Sequence, residues 1–479
     1  MRDFFRELAR RAVVAGARPA IVGPAHTFSY QDLLSRICAG AQWAQVLPDR
    51  VGLLFGSAAD CLVADLALSF AGKELVPLPA FFSDAQLAHI IATAALSHVV
   101  SDKVCGDRAR RLGLTASELG VAADCGREPA VDARRIIFTS GSTGRPKGVR
   151  LSARQVLASA AALAQATGAS ADDRYLSLLP SALLLEQIAG IYVPLSVGAS
   201  VHLPDGSLSG PHPRSIAGMV EEAKPTATVL VPELLTAWLR ELTAHERSAP
   251  PSLKYVAVGG APVPARLASA AWARGLPVYQ GYGLSECCSV VCVNRPGDPG
   301  LGTVGRPLAG VRVTIEDGEI VVDGPTVMDG YLTQPPVAGP WPTGDLGSFD
   351  PDGRLIVKGR KDNVIVTSAG RNVSPEWIED LIAADSRIQR CVVVEHEGVL
   401  AVVITSADKS ITTCTAAMRQ ILADATRAAP DYAKPRQCLV LSDQEFGELD
   451  LLTANGRPRR SAIRLLVAER SRLLADQPT

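Results

Sequence analysis

Hydrophobic positions in residues 1–130 gather into short runs separated by stretches of helical spacing. Residues 50–55 (RVGLLF) read as a buried strand, 58–70 as the helix after it, 75–78 (LVPL) as a second strand, 84–93 as another helix and 99–101 as the start of a third strand. Short continuous apolar runs suit strands covered on both faces, and their alternation with helices predicts a parallel sheet. The rhythm resumes after residue 150, with a helix at 153–167, strands at 175–179, 200–203, 227–231 and 255–258, and a helix at 232–242. From 303 to 358 short β-rich runs (VRVTI, GEIVV, RLIVKG) alternate with Gly, Pro and Asp turns, which predicts an antiparallel or barrel-like section. Beyond 363 a smaller set follows: IEDLIAA as a helix, CVVVEHE and LAVVIT as strands, and a helix over 412–428.

The amphipathic start, MRDFFRELARRAVVAG, has no uninterrupted apolar segment and reads as a first helix rather than a signal peptide. The longest apolar stretch, 182–201, is broken by Glu186, Gln187, Pro194 and Gly198, so it predicts core and no integral membrane segment. Length is compatible with two to four domains. With 48 Lys+Arg against 49 Asp+Glu and 47% apolar residues, the chain is neither disordered nor fibrous, and no basic field points to nucleic acid. Ten cysteines lack metal-ligand spacing; the cluster Cys287, Cys288 and Cys292 reads as buried thiols beside a strand, and the scatter of the set fits a reducing, cytoplasmic setting better than a disulfide framework. Six arginines in the last 23 residues read either as a solvated helix end or as a phosphate-binding group.

One segment is dense in chemistry. Thr139, Ser140, Gly141, Ser142, Thr143, Gly144 and Lys147 lie within ten residues after the apolar run 136–138. Glycines let backbone approach an anion, exposed N–H groups and hydroxyls ligate phosphate oxygens, and lysine adds a mobile charge. The spacing is not that of the Walker A loop. The chain has only nine lysines, so a Lys at this place carries information.

TSGSTGRPKG resembles the phosphate-binding loop of the adenylate-forming superfamily, which holds acyl-CoA synthetases, luciferases and peptide-synthetase adenylation domains. Further segments follow in the same order. Residues 177–186 (SLLPSALLLE) are similar to the segment preceding the acyl-pocket helix, with Leu183 where relatives often have His. Residues 258–262 (VGGAP), with Gly260 and Ala261, resemble the turn that packs on adenine. Residues 281–286 (GYGLSE) resemble a motif that implies Tyr282 stacking on adenine, Gly283 beside it, Ser285 on phosphate and Glu286 holding Mg²⁺. WPTGDLG implies Asp345 on the ribose hydroxyls. Residues 359–379 resemble the hinge and the segment after it, implying Arg360 on ribose or phosphate, Asp362 as hinge and Gly370 leaving room for a pantetheine arm. Ser374-Pro375 reads independently as a helix start.

The segment TANGRPRR aligns with a family motif in which a lysine bridges the substrate carboxylate and the α-phosphate; here that residue is Arg457. Arginine keeps the charge but not the shape. Three readings stay open: Arg457 does the work, another residue such as Lys434 or Lys409 replaces it, or adenylation is impaired. The resemblance implies an α/β fold: a large N-terminal domain, 1–360, of helix-covered sheets with a small β-barrel-like part, and a mobile α+β C-terminal domain, 361–479, with the site in the cleft between them. It implies activation of a carboxylic acid with ATP and Mg²⁺, and transfer of the acyl group to CoA or, alternatively, to a carrier protein in trans. Leu183, Leu184 and Leu185 suggest a fatty-acid-like substrate or simply a core helix, and aryl acids stay open.

Overall fold

The computed structural model describes residues 1–24, 26–120, 128–130, 132–139, 146–204, 214–366, 371–385, 387–406, 414–452 and 458–475, the side chains of 366, 372 and 471–475 aside. The chain separates into two compact units. One holds Met1–Val263, Ser269–Thr314 and Val321–Trp341; the other holds Pro264–Ala268, Ile315–Ile320 and Pro342–Thr479.

The first unit is built on two sheets. One runs, in spatial order, Gly330–Tyr331, Lys147–Ser152, Arg134–Thr139, Glu74–Pro77, Arg50–Leu54, His98–Ser101 and Thr115–Ser117. Its last five strands are parallel, and the Arg134–Thr139 and Lys147–Ser152 pair is an antiparallel hairpin. The other sheet has a parallel centre, Val278–Tyr282, Tyr255–Val258, Ala227–Leu230, Arg174–Leu176 and Ser200–His202. The alternation along the sequence is therefore expressed as helix-covered parallel sheets.

Helix limits follow from their caps. Ser57 accepts from Asp60 N before Ala58–Phe70, Ser83 forms a capping box with Gln86 before Asp84–Thr93, and Ser152 forms one with Gln155 before Ala153–Thr167, which ends at left-handed Gly168. Helix Ala58–Phe70 is buried on every side from Cys61 onward. Its Asp65 meets Arg135 of the hairpin at 3.2 Å, with both side chains almost wholly shielded. Gln187 Oε1 and the Tyr192 hydroxyl receive the other guanidinium protons, which satisfies a charge that would be costly to bury alone.

Residues 182–201 are core, as their composition predicts. No helix among the described residues is long and apolar enough to cross a membrane. The backbone there is unusual: Gln187–Tyr192 is a π-helix between the helical turns Leu184–Glu186 and Val193–Val197.

In the second unit Ile388–His396 pairs antiparallel with Val399–Ser406, and Gln437–Leu441 joins parallel to the latter. Alternate residues bury on opposite faces, as a strand's period of two requires. Val393, Val402 and Ile404 pack with Ile378, Ile382, Met418 and Ile421, while Val392, Val394 and Val403 pack with Phe446, Ile463 and Val467. Ser374 caps Pro375–Ala383 with proline in the first turn, as the sequence indicates.

The cysteine reading needs one correction. Cys287, Cys288 and Cys292 are buried free thiols, but Cys38 is disulfide-bonded. Sequence spacing carries no sign of a bridge closed by tertiary contact.

Candidate functional site

The phosphate-loop residues Ser140, Gly141, Ser142, Thr143 and Gly144 lie outside the described residues, but the hairpin that brackets them does not. Thr139 is the cross-strand partner of Lys147, and Phe138 that of Gly148. A side chain at Gly148 would strike Ile136 at 2.8 Å, so the strands close tightly at the mouth of the loop. Lys147 is exposed there, its Nζ 5.4 Å from the centroid of the Tyr331 ring. That is cation–π range.

Tyr331 is a residue that sequence reasoning missed. Gly330–Tyr331 adds to the hairpin's edge, pairing Tyr331 with Val149. Its hydroxyl donates to Glu286 Oε1 at 2.8 Å. One ring therefore ties the lysine to the carboxylate proposed for Mg²⁺. Glu286 lies in the short turn Ser285–Cys287, and Met328 N donates to its carbonyl at 2.8 Å. Beside this group His89 Nε2 donates to Pro146 O at 3.2 Å, and His89, Lys147, Tyr331 and Gln334 line a cavity of about 180 Å³.

The other expected nucleotide contacts emerge from one edge of the second sheet. Val258 and Gln280 are cross-strand partners near the carboxyl ends of parallel strands, so the turn holding Gly260 and Ala261 and the segment 281–286 leave from the same edge. Open parallel sheets bind ligands at that edge. Gly260 is left-handed, with φ +85°. At Gly283 a Cβ would fall 1.5 Å from Ser289 O, so no side chain fits. Tyr282 ends its strand half-buried, between Gly281 and that forced glycine.

Leu184 and Glu186 are buried and Leu183 and Leu185 half-buried. Glu186 accepts from the Tyr175 hydroxyl at 2.9 Å, while its Oε1 is shielded without a partner among the described residues. Burial pushes this carboxyl up to about 7.

In the second unit Asp345 and Arg360 face each other across the antiparallel pair Trp341–Phe349 and Leu355–Arg360. Arg360 Nη1 donates to Asp345 Oδ1 at 3.0 Å. Asp345 is buried, and its own N–H donates to Thr343 Oγ1 at 3.1 Å. Glu319, not singled out in the sequence, takes Gly344 N at 2.9 Å and Lys361 Nζ at 2.7 Å; the lysine holds its carboxyl below the ordinary range. Asp362 is exposed in the turn Lys361–Asn363, and Asn363 Nδ2 donates to Glu376 Oε1 at 2.7 Å.

Gly370 and Arg457 lie outside the described residues. Of the terminal arginines, Arg460 is not a solvated cation: it is half-buried against Glu376 at 3.1 Å and also pairs with Glu379.

Residues 8–332 match the AMP-binding enzyme family. Among curated relatives, the 2-succinylbenzoate–CoA ligase of Bacillus licheniformis is 32% identical over 275 residues, 54% of this chain and 55% of its own length. The long-chain-fatty-acid–CoA ligase of Mycobacterium tuberculosis is 29% identical over 348 residues, 60% of this chain and 56% of its own. The match thus spans about half the length of these relatives. Among solved structures, o-succinylbenzoate CoA synthetase from Bacillus subtilis with an acyl-adenylate intermediate aligns with TM-score 0.80 at 24% identity, covering 96% of this chain and 97% of that one. Anthranilate CoA ligase with anthranoyl-AMP aligns at 0.84 and 20% identity, covering 97% and 98%. These likenesses show the adenylate-forming fold over almost the whole chain. With the family match extending over more than half the sequence, the chain belongs to the AMP-binding enzyme family.

Proposed function

We propose that this protein is an AMP-forming acid–thiol ligase of acyl-CoA synthetase type. In the first half-reaction a carboxylate oxygen attacks the α-phosphorus of ATP. The Pα–O bond to the β-phosphate breaks, and pyrophosphate leaves. In the second, the sulfur of a thiol, here CoA, attacks the acyl carbon; AMP departs with the bonding pair and the thiol proton passes to solvent.

The observation that carries this reading is the triad of Lys147, Tyr331 and Glu286 at the mouth of the phosphate-loop hairpin. Lys147 supplies positive charge to the phosphates as negative charge shifts onto the leaving pyrophosphate. Tyr331 fixes the Glu286 carboxylate by donating to one oxygen, which leaves the second to a cation. Magnesium keeps most of its waters and takes one or two carboxylates plus substrate phosphates, so a single oriented glutamate fits it. When bound it would neutralise phosphate charge. Tyr282 offers a half-buried aromatic face to adenine, next to the close turn at Gly283, and the turn of left-handed Gly260 and Ala261 leaves from the same sheet edge. Asp345, oriented by Arg360, is a carboxylate of the kind that accepts from a vicinal diol.

Arg457 takes the position of the family lysine and carries its charge to the reacting carboxylate. By the resemblance, Gly370 would leave room for a pantetheine arm and Asp362 would be the hinge. The proposed substrate is a fatty-acid-like acid, supported by the apolar run Leu183, Leu184 and Leu185 and by fatty-acid–CoA ligases among the relatives.

The test is pyrophosphate release with ATP, Mg²⁺ and a panel of fatty and aryl acids, with and without CoA, for wild type and Arg457→Lys. Acid-dependent release by the wild type is expected, and the panel ranks the substrates. Release by Arg457→Lys alone would show that adenylation is impaired in the natural chain. Silence from both would sink the proposal.

A further inference from the structure

The hairpin that presents Lys147 at one end carries, at the other, cations that have no ion pair among the described residues. Arg134 opens its strand opposite Ser152, and Arg150 lies diagonally across from it. The two share a face, and the period of two puts Thr139 and Lys147 on the opposite one. Arg134 and Thr139 are five positions apart, roughly 17 Å of strand. Arg154 follows in the first turn of Ala153–Thr167. The three arginines line a cavity of about 460 Å³ whose apolar wall includes Leu151, Val327 and Met328.

Two of the cavity's three carboxylates are ion-paired: Glu74 receives Arg50 Nε at 2.6 Å and Asp323 pairs with Arg312, while Asp329 accepts the neutral Gln155 Nε2 at 2.7 Å and keeps its charge. Arg134, Arg150 and Arg154, by contrast, make no ion pair and no side-chain hydrogen bond among the described residues, and Arg150 Nε is shielded from solvent with no acceptor. Three guanidinium charges against the single unneutralised carboxylate of Asp329 leave a positive excess, and a shielded donor without an acceptor among the described residues is a standing desolvation cost. A multiply charged oxyanion removes both penalties.

We propose that this cavity is a second anion site that binds a phosphate-bearing small molecule, separate from the nucleotide site at Lys147. Guanidinium forks match phosphate oxygens in pairs. The volume falls in the range of small-ligand pockets, larger than a bare phosphate needs, and the apolar wall receives an organic body.

The test is calorimetric titration of the full chain with inorganic pyrophosphate, chloride being adjusted to hold ionic strength constant. Two classes of site are expected in the wild type. Arg134→Gln with Arg154→Gln, both at exposed side chains, weakens one class by roughly tenfold or more and spares the other; Arg150→Gln acts in the same direction. Lys147→Ala weakens only the remaining class. A single class that is lost in Lys147→Ala and indifferent to every arginine substitution overturns the second site while leaving the proposed nucleotide site standing. Binding that no arginine substitution alters overturns it equally. A competition arm identifies the source of the phosphate: displacement of pyrophosphate from the arginine class by CoA assigns it to the thiol cosubstrate, and no displacement assigns it to a separate phosphorylated ligand.

Discussion

Single residues decide the chemistry, and the least visible of them is Tyr331. Lys147 and Glu286 stand 139 positions apart in the chain and are joined through one phenol ring and one 2.8 Å hydrogen bond. Tyr331→Phe keeps the ring and removes only the hydroxyl. The expected outcome is an adenylation rate lower by roughly tenfold, as for loss of a hydrogen bond to a charged group, a raised requirement for Mg²⁺ and an unchanged melting temperature. Lys147→Ala should cost more, about 10²–10³-fold in rate. Steady-state kinetics at varied Mg²⁺ separates the two; a Tyr331→Phe enzyme with wild-type rates and metal dependence would remove the tyrosine from the account. Lys147 was legible because glycines, hydroxyls and a rare lysine crowd one segment. Tyr331 was not, because a two-residue strand, Gly330–Tyr331, has no periodicity to read and reaches the hairpin only through the tertiary fold.

At the scale of elements, boundaries were legible where side chains set them. Ser57, Ser83 and Ser152 cap their helices, and the limits of those helices follow from the sequence. The strand expected over 175–179 is shorter, Arg174–Leu176, because Leu178 and Leu179 are buried without joining the ladder. Burial and pairing leave the same trace in an apolar run. The π-helix Gln187–Tyr192 has no residue-type signature at all, though such turns often mark functional sites. Glu186 leads into it with its carboxyl pushed up to about 7 by burial. Between the ordinary carboxylate value near 4.5 and that figure, the folded protein keeps a proton the unfolded chain has lost. Stability must therefore fall as pH rises through this window, and the penalty is fully present above it. A shift of that size corresponds to about 3 kcal/mol. Glu186→Gln should gain on the wild type in melting temperature as pH goes from 5 to 8. Parallel curves for the two proteins would mean that the carboxyl titrates normally.

For the whole molecule, the fold class and the family were accessible from motif order; among the described residues, the segments around Gly260, Tyr282 and Asp362 lie at strand ends or turns. The disulfide at Cys38 was not legible, since bridging depends on distance rather than spacing. On the proposed reading the two half-reactions require different backbone angles at Asp362, and Asp362→Pro fixes φ near −65°. The expected result is a split: pyrophosphate release retained, thioester formation reduced on the order of 10²-fold by misplacement of the reacting groups. Equal losses in both steps would deny Asp362 that role. The central claim is attack of a carboxylate on the α-phosphorus of ATP, and isotope transfer tests it most directly. With the carboxylate of the best acid labelled with ¹⁸O, turnover with ATP and CoA should place one labelled oxygen in AMP, read by mass spectrometry. Label in inorganic phosphate or pyrophosphate, or unlabelled AMP alongside thioester product, would contradict the account.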